Sequence, residues 1–146
     1  MYTGLLHAHS GLRYLTLLLL LIVIGQSLIG WLRFKKYTHT HQRIAGANAW
    51  FLIIQFIVGL VLYVVSPKVM FDPIVFKNTM LRFFSMEHPL MMTIAISVIL
   101  MSYFSAKPSG DYRVHKRLFW YHLAGMLLLV ASIPWPFREQ LGATWF

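Results

Sequence analysis

The chain has 146 residues, of which 58% are hydrophobic and 12% charged, with 13 Lys and Arg against 4 Asp and Glu and a mean hydropathy of +0.65. So little charge on so apolar a chain excludes an ordinary soluble domain and points to an integral membrane protein. The formal charge of +9 would suggest nucleic acid in a soluble protein, but here the basic residues flank apolar segments, where they set topology and meet anionic lipid, so lipid and not nucleic acid is the expected contact.

The first span is expected at about 10–33, and no small-residue cleavage pattern follows it, so it is expected to stay attached. At about 100° per residue, His9, Arg13, Thr16 and Ser27 share one face, whereas His7 points about 160° away from His9. The second span, about 44–66, repeats this arrangement with Asn48, Gln55, Gly59 and Ser66 within about 40° of one another. A third span, about 88–106, opens with His88-Pro89, and the face of His88 carries Met92, Ala95, Ile99 and Ser102, so small residues leave room below the histidine. The fourth span, about 117–136, carries His122, with His115 seven residues earlier at the same azimuth. Period-two alternation is absent, so the spans are helices, and residues 1–146 are expected to form a single all-α, up-down four-helix membrane bundle.

Orientation follows from the basic residues. Arg33, Lys35, Lys36, Arg43, Lys107, Arg113, Lys116 and Arg117 fall on one side; Arg13, Lys68, Lys77, Arg82 and Arg138 fall on the other. The eight-to-five asymmetry places the two short basic loops in the cytoplasm and both termini outside. Trp31, Tyr37, Trp50, Tyr63, Trp120, Tyr121 and Trp135 lie near span ends and suit an interfacial aromatic belt.

With that orientation His9, Arg13, Glu87 and His88 share the outer level, and Asn48, Gln55, Ser27, Ser102 and His122 the inner half. Polar side chains inside spans are costly and mark functional sites. Two imidazoles on different helices suit the axial positions of haem b iron, and Arg13, one turn below His9, suits a propionate. Gln55 and His122 suit a quinone on the inner level. The absence of Cys removes disulfides, thiolate ligands, iron–sulfur clusters and covalently attached haem together. His7, His39, His41 and His115 are expected to be solvated. Three alternatives stay open: a small cytochrome or quinone-facing subunit, a mixed metal site of His7, His9, Glu87 and His88 if the first residues are not helical, and a structural subunit whose polar stripes are interhelical glue. A stand-alone hydrolase is disfavoured, since Asp72, Asp111, Glu87 and Glu139 are its only side-chain carboxylates and none lies mid-span.

The segments LLHAHSGLRY, MEHPLMM, VHKRLFWYH and IPWPFRE, spread over nearly the whole chain, resemble those of a family of short four-helix bacterial membrane proteins labelled cytochrome b-like; the position of Tyr14 is often Trp in that family. The resemblance implies a multi-pass protein of the bacterial inner membrane that works with other membrane subunits or a redox partner. It marks His9, Arg13, Glu87, His88, His115 and the Ile133 to Arg138 segment. A reporter fused after Phe146 is expected to be active only outside the cytoplasm and one inserted beside His39 only inside it, and the reverse pattern would overturn the orientation.

Overall fold

The computed structural model describes residues 2–142, so the expected domain over 1–146 runs past the described residues at both ends. Four long helices account for most of them: α1, Tyr2–Leu32; α2, His39–Val65; α3, Thr79–Ser105; and α4, Arg113–Ser132. No strand occurs among the described residues. Helix α1 packs against α2 and α4, and α3 packs against α4 and α2, so the four surround a common core. That core is Leu20, Ile24, Leu52, Ala95, Ile96, Ile99 and Leu129.

Local chemistry sets the helix ends. The last turn of α1 closes through Phe34, a non-glycine residue at φ 51°, with the Lys35 amide donating to the Gly30 carbonyl at 2.9 Å. Thr38 opens α2, its amide donating to His41 Nδ1 at 3.2 Å. Asp72 caps the short 3-10 turn Pro73–Lys77 by accepting from the Ile74 amide, and Asn78 caps α3 by accepting from Leu81. Asp111 accepts from the Arg113 amide at 2.8 Å where α4 begins.

Two features differ from the sequence expectation. Helix α1 starts at Tyr2, well before the expected span, so the His7-Ala8-His9 triplet lies on regular helix. Four spans are expected, but three helices, α1 to α3, are long and apolar enough to cross a membrane. Helix α4 is 20 residues long, yet Arg113, Lys116 and Arg117 occupy its first turns, and His122 delays its longest run without a charged or histidine residue until Leu123.

Many large apolar side chains lie on the exterior of the helices, while several polar ones lie inside. Val64 is 82% exposed and Phe104 67%, whereas Asn48, Ser27, His115 and His122 are fully buried. Close backbone approach makes this possible. A Cβ on Gly125 would sit 2.4 Å from Ile99 Cγ1 and 3.2 Å from the Ala95 carbonyl oxygen, so only glycine lets α4 meet α3 there. Gly25 has nothing within 4 Å of the same position. Gly125→Ala is therefore expected to destabilise by about 1–3 kcal/mol through overpacking, while Gly25→Ala should stabilise by up to about 1 kcal/mol through helix propensity. Reversible unfolding in detergent checks both, and a Gly125→Ala protein as stable as the parent would contradict the packing.

Candidate functional site

A cavity of about 210 Å³ opens between α1, α2 and α3, with Ile133 and Pro134 closing part of its wall. His9, Arg13, Gln55 and His88, four of the residues singled out from sequence, line it together with Thr16, Gly59 and Tyr63. Its remaining walls are mostly apolar, including Leu52, Phe56, Met92 and Ile96.

Each polar group has a defined support. The ring of His9 lies over Gly59, where an added Cβ would approach its Cε1 to 3.1 Å, so the glycine makes the space that the ring fills. Gln55 donates from Nε2 to the His9 carbonyl at 2.9 Å. That bond ties α2 to α1 and fixes which end of the amide faces elsewhere. Gln55 Oε1, Thr16 Oγ1 and His9 Nδ1 are buried with no hydrogen-bond partner among the described residues. Arg13 is 9% exposed; its guanidinium donates to the Tyr14 hydroxyl at 3.0 Å and lies 5.6 Å from the Trp135 ring centre. His88 Nδ1 lies 2.8 Å from the Ser132 carbonyl oxygen. A carbonyl can only accept, so Nδ1 carries the proton, and in the neutral ring Nε2 keeps its lone pair.

Glu87 and His122 are placed elsewhere. Glu87 follows the chain to the outside of α3, where Arg82 donates from Nε to its carboxylate at 2.6 Å, and both side chains are close to half exposed. His122 is fully buried but does not line the cavity; its Nδ1 donates to the Leu118 carbonyl at 2.9 Å, with Ser102 Oγ at 3.2 Å. Gln55, expected beside His122 on the inner level, instead stands at the level of His9. Asn48 donates to the Thr16 carbonyl at 3.3 Å.

Sequence reasoning also placed His115 in solvent, and the structure corrects this. His115 is fully buried, its ring set against Gly30, 5.1 Å from Tyr37 and 4.7 Å from His41 between ring centres. The azimuth it shares with His122 was the available signal. In the same cluster Tyr37 donates to Gln42 Oε1 at 2.7 Å, and burial pushes its phenol up to about 12, so it stays protonated at any physiological pH. Tyr63, assigned from sequence to the aromatic belt, reaches inward instead.

The mixed metal site is not assembled. His7 is exposed on the opposite side of a regular helix and Glu87 is held by Arg82; among the described residues no three His, Asp or Glu side chains are grouped to hold a metal ion. The donor set does suit haem b, which asks for two imidazoles on separate helices, a nearby cation and apolar walls. The volume, about 210 Å³, lies below the ~300–1,000 Å³ of sites that enclose drug-sized molecules, so the cavity as it stands encloses a haem-sized macrocycle only in part.

No family model, curated protein or solved structure matches the chain.

Gln55 provides a discriminating test. Replacement by Leu loses one hydrogen bond, a net of about 0.5–1.5 kcal/mol, and also removes a buried unpaired acceptor that costs about 1–3 kcal/mol. The two effects nearly offset, so Gln55→Leu is expected to leave unfolding within about 1 kcal/mol of the parent while weakening whatever ligand bonds to Oε1. A large loss of stability in ligand-free protein would show that the amide is structural alone.

Proposed function

We propose that the chain is an up-down four-helix protein of the bacterial inner membrane, both termini outside, that holds haem b between His9 and His88 and transfers electrons within a larger assembly or to a redox partner. What supports this reading most is that two imidazoles from different helices line one apolar-walled cavity, one of them with its Nδ1 proton committed to a backbone carbonyl. A histidine that ligates metal through one nitrogen characteristically donates its other N–H to such an acceptor, which fixes tautomer and ring orientation. Haem b, when bound, supplies one-electron redox chemistry. His9 and His88 would hold the iron, the Ser132 carbonyl keeps His88 in the tautomer that offers Nε2, and Arg13 offers N–H donors and positive charge to propionates. The apolar part of the lining, Leu52, Phe56, Met92 and Ile96, would pack against the macrocycle. The three long apolar helices and the exposed apolar exterior support membrane insertion, and the cytochrome b-like resemblance of the sequence agrees with both.

A quinone in the same cavity is the second reading. It is favoured by the modest volume and by the buried, unpartnered Gln55 Oε1 and Thr16 Oγ1, which suit a hydroxyl-bearing quinol ring. The inner-level quinone site built on His122 has less support, since His122 is away from the cavity.

One experiment separates these readings. Protein purified from haem-replete cells should show a low-spin haem spectrum that His9→Ala and His88→Ala each abolish or convert and that His7→Ala leaves intact. A haem spectrum indifferent to both His9 and His88 would overturn the ligation. Colourless protein that co-purifies with quinone moves the conclusion to the second reading; colourless protein with neither moves it to a structural subunit.

A further inference from the structure

Pro89 lacks the amide hydrogen that a helix would give to the carbonyl four residues back, which is that of Ser85. Ser85 is buried, and a carbonyl left unpaired there is costly. The hydroxyl of Tyr63, from α2, donates to that carbonyl at 2.8 Å. The other polar atom of Ser85 is also engaged, its Oγ accepting from the Met70 amide at 2.9 Å. Around Ser85 the backbone widens into a π turn, Phe83–Glu87, in which the His88 amide donates to the Phe83 carbonyl five residues back. Arg82 and Glu87, also five apart, bridge the same turn on its outer side.

The turn changes where side chains point. On a regular helix residues 83 and 88 are separated by about 140°. Here Phe83 is buried and its ring lies 5.7 Å from the His88 imidazole, tilted by 35°. The imidazole is thus held by a ring on one side and by the Ser132 carbonyl at Nδ1.

We propose that Tyr63 is a positioning residue for His88: its hydroxyl takes the place of the amide that Pro89 lacks and so maintains the π turn that presents His88 to the cavity. The consequence for haem ligation rests on the function proposed above, whereas the positioning does not.

The test uses the full chain in detergent or nanodiscs and two variants. If the protein carries haem, the readout is the ferric low-spin electron paramagnetic resonance signal, which responds to the orientation of the axial imidazoles; if it is colourless, the readout is the ¹⁵N resonances of His88. Tyr63→Phe is expected to shift the His88 signature, with partial conversion of low-spin to high-spin haem where haem is present, and to leave His7 unchanged. In Tyr63→Phe/Pro89→Ala the new amide satisfies the Ser85 carbonyl, so thermal stability should return toward the parent while the His88 signature stays shifted, because the turn relaxes to α-helix. Should Tyr63→Phe fail to fold, the double variant carries the same readout. An unchanged His88 signature in Tyr63→Phe, or recovery of stability and signature together in the double variant, would overturn the proposal. A colourless protein in which Tyr63→Phe still shifts His88 would overturn haem binding and leave the positioning role standing.

Discussion

Four glycines in the long helices receive a side chain from a facing helix, and the positions of those side chains depend on how closely the backbones can approach. Gly30 faces the His115 ring, Gly46 the Tyr103 hydroxyl, Gly59 the His9 ring and Gly125 the Ile99 side chain. Where apolar surface surrounds the bundle, hydrophobic burial gives little reason for two helices to associate, and close contact through small residues takes over. The same contacts let polar groups pair across helices: Gln55 with the His9 carbonyl, His88 with the Ser132 carbonyl and Ser102 with His122. The cavity lies where the packing of α1, α2 and α3 leaves a gap lined by His9 and His88.

Much of this was legible in the sequence, for a simple reason. The helical period is rigid, so azimuths computed from numbering alone put Arg13, Thr16 and Ser27 on one face, and all three are buried; the face of His88 likewise contains Ala95, Ile99 and Ser102, also buried. Depth was less legible. Gln55 was assigned to the inner half because span boundaries were read from hydropathy, but α1 extends to Tyr2, and the pairing of α1 with α2 brings Gln55 level with His9. Periodicity also fails wherever the period changes. Glu87 and His88 are neighbours in sequence, and the π turn ending between them sends one to Arg82 and the other to the cavity. His115 looked like a loop residue because basic residues surround it, yet the absence of a side chain on Gly30, 85 positions away, is what admits its ring.

The polar interior is incompletely paired. His122 Nε2, Asn48 Oδ1, Ser27 Oγ and Thr16 Oγ1 are buried without hydrogen-bond partners among the described residues. Native interiors rarely keep such groups unless they serve a ligand, an ordered water or a mechanism. Here they come from three helices, and all but Thr16 lie outside the cavity lining.

Helix α4 differs from its neighbours in a way that bears on assembly. Three basic residues occupy its first turns, and two histidines face the other helices. As an isolated segment entering lipid it would expose those imidazoles to hydrocarbon, which strongly opposes insertion. Both its packing partners, α1 and α3, precede it in the chain. Helix α4 therefore depends on α1 and α3 for the surfaces that cover its two imidazoles, so its folding is tied to theirs.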